Sequence, residues 1–320
     1  MYMEKTLEGV FNEYMLWHEW ERQSRPATIR WHKMNMRVFN KYLRQWLEIT
    51  TPTLKDFNEA NIRQFLIDRL KSGVAPRTNL TNWQAFKAFS KFLLRREYIK
   101  KDPMFNVSRP QVEKRLPDAL DEKQVKELMR YMMSRRKPRY RIAYLRDLAL
   151  IGVFVFAGLR RSEALSLKVK DVDLSNNTIR LAHTKTRRQE AVPICSTLKQ
   201  LLEDYLQVRL ALKRETDNLF VDSNRSGQDK RRGDGSFGTR GLQLLFGELN
   251  NNLNFGKRLR PHLLRRSFAT MLLRKGLNIV DVSRLLRHSD ISVTVKSYIG
   301  YDEGELLKSL EKFHPLSLKF

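Results

Sequence analysis

Four short segments in the second half of the chain carry side chains that together could break a phosphodiester bond without a metal. In chain order they are Gly158–Glu163, a basic turn around Lys185, His262–Arg265 and His288–Tyr298. A phosphodiester is an anion, and attack on it builds further charge on its non-bridging oxygens. Two guanidinium groups can hold it bidentately and remain charged at any working pH. Arg160 and Arg265 are therefore the predicted phosphate clamp.

Such a clamp needs a nucleophile and a proton donor for the leaving 5′-oxygen. Tyr298 is the candidate nucleophile, and Lys185 is the candidate proton donor. His262 and His288 are candidates for hydrogen bonding or proton transfer. Each signal is weak alone, because a single histidine is usually a solvated surface residue and a single tyrosine usually packs half-buried.

The spacing of these residues predicts which of them share a helix face. His262 and Arg265 are three positions apart, so they lie side by side if the segment is helical. The preceding Arg260-Pro261 is typical of a helix start. Glu163 follows Arg160 by one helical turn, so its carboxylate can orient a neighbouring basic side chain.

The elements that must position these residues are predicted to be mainly helical. An apolar helix over Leu145–Ala157 ends at Gly158, and another helix begins beyond it. Three short strands follow at 172–174, 178–182 and 190–194. Their turns fall at Asn176-Asn177 and in the basic segment 184–188. Cys195 continues the alternation of the last strand, which predicts a small core residue and not a reactive thiol.

The first half is predicted to be a separate helical domain. Apolar residues recur at helical spacing in three segments, at 26–47, 57–70 and 80–93. A polar, proline-bearing stretch then separates the two halves. The predicted organisation is a helical DNA-binding domain at 1–108, a linker at 109–117 and a catalytic domain with a C-terminal tail at 118–320.

The charge of the chain points to a polyanionic partner. Lys and Arg total 61 against 35 acidic residues, which gives a net charge of +26. Nucleic acid is the first interpretation and an anionic membrane surface the second. The longest apolar run, Leu148–Ala157, is about half the length of a membrane span. The start of the chain lacks a secretory pattern, so a cytoplasmic protein without membrane attachment is expected.

Several basic residues outside the four segments are candidates for DNA contact. They are Lys87, Lys91, Arg135, Arg136, Arg139 and Arg188. Such residues would bind backbone phosphates, which adds affinity and salt dependence but little sequence choice. The Lys230–Arg232 cluster is instead predicted to lie in a solvated loop.

The ordered set of motifs resembles the tyrosine recombinase family of phage integrases and Xer-type resolvases. The motifs are GLRRSE at 158–163, a lysine in a strand turn, HLLRRSFAT at 262–270 and HSDISVTVKSY at 288–298. The stretch AFSKFLLRREYIKKDP at 88–103 is similar to the helical core-binding domain of that family. The resemblance implies an α+β fold that is mainly α with a small antiparallel sheet. A SAM-like core-binding domain and a catalytic domain would form a clamp around DNA.

By position, the resemblance implies a role for each matching residue. Arg160, Arg265, His262 and His288 would surround the scissile phosphate, Glu163 would support them, and Tyr298 would attack. Lys185 falls where the family keeps a β-hairpin lysine. Its neighbours Thr184, Arg187 and Arg188 are rivals for that role.

The resemblance also implies the reaction and the partners. A site-specific recombinase forms a 3′-phosphotyrosine and frees a 5′-hydroxyl, and it needs neither a metal nor another cofactor. Its substrate would be double-stranded DNA with paired inverted-repeat core sites. The tail after Phe313 would dock on a neighbouring protomer and close a homotetramer. A type IB topoisomerase and a DNA-binding regulator without catalysis are the alternatives.

Two departures from the family pattern concern the last motif. His288 and Tyr298 are ten residues apart, whereas Xer-type proteins usually have nine, and this leaves Tyr301 as a rival nucleophile. The longer spacing favours mobile-element integration, excision or resolution over housekeeping dimer resolution. Arg287 stands where the family most often has glycine.

Overall fold

The computed structural model describes residues 5–113, 118–135, 141–181, 190–212, 216–222, 235–288 and 290–292. The chain divides into two compact units, Met1–Arg115 and Leu116–Phe320. Each unit has its own hydrophobic core. Within the described ranges no helix is both long enough and apolar enough to cross a membrane.

The first unit is built from four α-helices. They are α1 (Leu7–Leu16), α2 (Pro26–Trp46), α3 (Glu59–Lys71) and α4 (Pro76–Arg95). Helix α1 runs on into a π-helical turn at Trp17–Glu21. Helices α2 and α4 each begin with proline, whose missing N–H costs nothing at that position. The three helices predicted from apolar spacing are confirmed, and α1 is an additional one.

Aromatic side chains and buried amides fix how these helices pack. Phe39, Phe86 and Phe89 are fully buried and belong to one cluster of ring contacts. The Asn79 side chain donates to the Leu66 carbonyl at 2.7 Å and so ties α4 to α3. Buried amides without partners are costly, so such a bond specifies one packing arrangement.

The second unit is also mainly helical. Its helices are α5 (Glu122–Ser134), α6 (Arg141–Phe156), α7 (Arg161–Ser166), α8 (Ser196–Ala211), α9 (Thr239–Asn252), α10 (Pro261–Arg274) and α11 (Ile279–Leu286). Helix α6 is buried on all sides along 146–155 and contacts α5, α8 and α10. A helix that is apolar all round belongs in the centre of a core. The predicted apolar helix is thus confirmed as the central helix.

A small antiparallel sheet completes this unit. Its strands are β1 (Val172–Asp173), β2 (Thr178–Leu181) and β3 (Glu190–Pro193), in the order β1-β2-β3. The Asp173 carboxylate accepts hydrogen bonds from Asn176 in the first turn, and Asn177 adopts a left-handed φ of 51°. The predicted mainly α fold with a small antiparallel sheet is confirmed.

The prediction for Cys195 is wrong. Its side chain is exposed, and the residue is the N-cap of α8. Strand β3 ends at Pro193, so the alternation of buried and exposed residues does not continue into the helix start.

Candidate active site

The first motif turns sharply between α6 and α7. Gly158 adopts a φ of 57°, which glycine tolerates better than any other residue. A Cβ at this position would lie 2.6 Å from Cδ1 of Phe268 on α10. The turn therefore requires glycine both for its backbone and for space. It places Arg160 at the N-cap of α7.

Glu163 holds Arg160 in the way that the spacing predicts. Its carboxylate accepts the Arg160 backbone N–H at 2.7 Å and Nη1 of the Arg160 side chain at 2.6 Å. The Glu163 side chain is only 4% exposed, whereas that of Arg160 is 29% exposed. The arginine thus has a buried anchor and a solvent-accessible guanidinium, as a phosphate ligand requires.

Arg265 reaches the same place from α10. It is 2% exposed, and its Nη1 donates to the Gly158 carbonyl at 2.5 Å. Its Nη2 donates to the Leu286 carbonyl, to which Arg160 Nη2 also donates at 3.5 Å. Arg160 Nη2 further binds the Arg287 carbonyl at 3.0 Å. These carbonyls end α11, where they have no partners within the helix and attract cations.

The two candidate histidines lie in the field of this arginine pair. Burial, then the charges of Arg265 and Arg160, lower the pKa of His288 from 6.5 to about 4. His262 is exposed in the first turn of α10, but partial desolvation, followed by the charges of Arg266 and Arg265, lowers its pKa as well. Both imidazoles are therefore neutral near pH 7, and each can donate one N–H to an anion.

The structure thus brings together five of the predicted site residues around the end of α11. They are Arg160, Glu163, His262, Arg265 and His288. Lys185, Arg188 and Tyr298 lie outside the described residues, as do Arg136, Arg139, Lys230–Arg232 and the tail after Phe313. Among the residues that are described, no three His, Cys, Asp or Glu side chains group as metal ligands.

Two of the predicted DNA contacts are engaged in ion pairs. Nζ of Lys87 lies 2.7 Å from the Asp102 carboxylate, so this lysine ties α4 to the segment that follows it. Arg135 Nη2 lies 2.6 Å from Glu248 and its Nη1 3.9 Å from Asp147. Both side chains hold their unit together, which the sequence pattern did not predict.

Lys91 belongs to a cationic cavity in the first unit, with a volume of about 600 Å³. Arg22 and Arg95 also line it, and the described residues around it include no carboxylate. Both guanidiniums contact the Trp17 ring, at 5.1 and 5.9 Å from its centroid. Such a combination suits a phosphate with a neighbouring planar group. Arg22 was missed, because it lies far in sequence from Lys91 and Arg95.

Comparisons with known proteins agree on one family. Residues 118–304 match the model described as the phage integrase family. Tyrosine recombinase XerC of Bacillus licheniformis is 33% identical over 268 residues, which cover 83% of this chain and 84% of that protein. XerC of Bacillus subtilis is 29% identical over 98% of both chains.

Two solved structures show a similar fold. One is the Tn1549 transposon integrase in complex with transposon right end DNA, with a TM-score of 0.73 and 17% identity over 95% of this chain and 99% of that one. The other is the XerH site-specific recombinase bound to a palindromic difH substrate. Its TM-score is 0.69 at 21% identity, over 92% of this chain and 82% of that one.

Proposed function

The chain belongs to the phage integrase family of tyrosine recombinases, and from this membership and the site geometry we propose that it cuts and rejoins DNA through Tyr298. The observation that carries the proposal is the convergence of Arg160 and Arg265 on the Leu286 carbonyl. Two guanidiniums that share one acceptor can also share one phosphate. The recombinase names of the relatives favour this function over a topoisomerase or a silent regulator.

We propose the following chemistry for strand cleavage. The phenolic oxygen of Tyr298 attacks the phosphorus and forms a phosphotyrosine bond to the DNA 3′ end. The bond from phosphorus to the 5′-oxygen breaks, and Lys185 gives that oxygen its proton. Arg160 and Arg265 stabilise the charge on the non-bridging oxygens. A 5′-hydroxyl from another strand then reverses the step, so the number of phosphoester bonds is conserved.

The neutral histidines complete this proposal. An imidazole without charge can donate an N–H to a phosphate oxygen and can also accept the proton that Tyr298 loses. The incoming phosphate brings negative charge, which raises the pKa of a nearby imidazole and makes it a better base. His288 and His262 are thus matched to proton transfer during attack.

The proposed substrate is double-stranded DNA with paired inverted-repeat core sites. The net charge of +26 supports strong backbone binding. We assign the first unit to core-site binding and its cationic cavity to a backbone phosphate. We further propose a homotetramer closed by the tail after Phe313, which acts in the cytoplasm in mobile-element integration, excision or resolution.

A trapping experiment on random-sequence DNA tests the proposed cleavage at any target site. The protein is incubated with a pool of nicked duplexes of random sequence, in which the fragment that carries the 5′-hydroxyl diffuses away after cleavage. Wild-type protein should yield a covalent adduct that survives denaturation, and sequencing of the trapped strands should reveal the site. Tyr298→Phe should yield none, whereas the matched control Tyr301→Phe should react like wild type. An adduct with Tyr298→Phe would overturn the proposal.

A further inference from the structure

Arg287 occupies an unusual position beside the candidate active site. It follows the last residue of α11, and its φ of 55° lies in the left-handed region. A non-glycine residue there carries backbone strain of a kind that persists where the surroundings fix it. The side chain of Arg287 is only 4% exposed. A buried guanidinium on a strained backbone calls for a specific role.

The contacts of Arg287 join three segments of the site. Its Nη2 donates to the Glu163 carboxylate on α7 at 2.8 Å. Its Nε lies 3.8 Å from the carboxylate of Glu190, the first residue of β3. Its Nη1 donates to the Leu285 carbonyl on α11 at 2.7 Å. The neighbouring carbonyl, that of Leu286, is the one that Arg160 and Arg265 share.

Glu163 is the link between Arg287 and the phosphate clamp. One of its oxygens binds Arg160 Nη1, while the other binds Arg287 and lies 3.8 Å from Arg265 Nη1. Burial opposes the charge of Glu163, but the charges of Arg287 and Arg160 outweigh it, so its pKa lies below the ordinary value. With Arg160 as the main partner, this carboxylate would cancel much of the positive charge that a phosphate meets.

We propose that Arg287 is a positioning residue for strand cleavage, which neutralises Glu163 and so leaves the charge and orientation of Arg160 available to the scissile phosphate. Because its side chain is buried, it acts through Glu163 and does not touch DNA. The inference rests on the proposed cleavage activity.

The test compares the rate of covalent adduct formation on the trapped site for a small set of variants. Arg287→Gly removes the guanidinium and supplies the residue that the left-handed φ prefers, so the fold is retained. Its cleavage rate should fall on the order of 10- to 100-fold, since small displacements of a clamp have effects of this size. DNA affinity should change less than about 2-fold, because the lost contact is internal. Arg284→Ala on the exposed side of α11 makes the same change in net charge and should match wild type.

A double-mutant cycle shows whether Arg287 acts through Glu163. In a Glu163→Gln background, Arg287→Gly should lower the rate much less than it does in wild type, because the two residues form one unit. A purely structural role would give independent effects. The acid limb of the rate profile provides a second readout. The charges of Arg265, Arg160 and Arg287 and the ring of His262 face His288, so loss of Arg287 should raise the pKa of His288 and move that limb to higher pH.

The outcomes separate the inference from the proposed function. If wild type forms no adduct, the proposed cleavage fails. If wild type reacts and Arg287→Gly reacts as fast, or the two variants are additive, the role of Arg287 is overturned. Arg287→Asn, which also tolerates a left-handed φ, takes the place of the glycine variant should that one not fold.

Discussion

Arg160 and Arg265 donate hydrogen bonds to one carbonyl oxygen, that of Leu286, although they lie on different helices. The shared acceptor is the end of α11, immediately before His288. Three motifs distant in sequence are thus joined by backbone carbonyls as well as by side chains. The arrangement exists without DNA, so the clamp is formed before the phosphate arrives.

We expect Arg265→Lys to lose cleavage while keeping DNA affinity. Lysine retains the charge but cannot bind the Gly158 and Leu286 carbonyls in a fork and a phosphate as well. The rate of adduct formation should fall about 100-fold or more, which is the usual cost of one transition-state donor. Arg266→Lys on the same helix is the control and should react normally. A wild-type rate for Arg265→Lys would contradict the proposed clamp.

Gly158→Ala should destabilise the second unit by about 3 kcal/mol, from the left-handed φ and the overlap with Phe268 together. Gly256→Ala is a matched control, since Gly256 has a φ of 64° and no described atom lies within 4 Å of the position that a Cβ would take. It should cost only about 1 kcal/mol, from the backbone alone. Chemical denaturation of both variants, followed by far-UV circular dichroism, measures the difference. Equal losses would mean that the tight approach of α10 to this turn does not matter.

The first unit should lose stability in mild acid. Burial, then the charges of His18 and Arg22, lower the pKa of His32 from 6.5 to about 4. The unfolded chain therefore binds a proton at higher pH than the folded chain does. The stability present above pH 6.5 is lost as the pH falls toward 4, by up to about 3 kcal/mol.

Tryptophan fluorescence during urea unfolding measures this effect selectively, because all five tryptophans lie in the first unit. His32→Gln should flatten the pH dependence between pH 7 and 4. The control His262→Gln, in the second unit, should leave the tryptophan signal unchanged. An equal slope in wild type and His32→Gln would show that another group is responsible.

Lys91 and Lys87 should respond differently to alanine substitution, although both lie on α4. Lys91 lines the cationic cavity, so Lys91→Ala should weaken binding to random-sequence duplex and reduce the salt slope by about 0.9 for one lost phosphate contact. Lys87 is paired with Asp102, so Lys87→Ala should lower the melting temperature of the first unit and leave the slope unchanged. Titrations at several salt concentrations decide between these outcomes. A reduced slope for Lys87→Ala alone would reverse the assignment.

Local signals in the sequence were sufficient for most of the fold. Proline at a helix start, apolar spacing and the Asn176-Asn177 turn act over a few residues, and the predicted helices and strands followed from them. Cys195 failed because the switch from strand alternation to a helix cap takes place within two residues. The alternation itself carries no mark of where it stops.

Long-range pairing limited what could be predicted of the site. The spacing of Glu163 and Arg160 is local, so their contact was expected. The pairing of Lys87 with Asp102 depends on a chain reversal after α4, and that of Arg135 with Glu248 on helix packing. Arg287 stood out only as a departure from glycine. Its burial between Glu163 and Glu190 emerges from the fold.

The most direct test of the proposed cleavage is the identity of the tyrosine that is linked to DNA. After trapping, nuclease and trypsin digestion leaves the peptide Ser297–Lys308, which contains both Tyr298 and Tyr301. Fragment ions in mass spectrometry distinguish the two positions. We predict a nucleotide 3′-phosphate on Tyr298 in wild type and none in Arg265→Lys at matched times. A nucleotide on Tyr301, or an adduct that forms equally fast without the Arg265 guanidinium, would contradict the proposed mechanism.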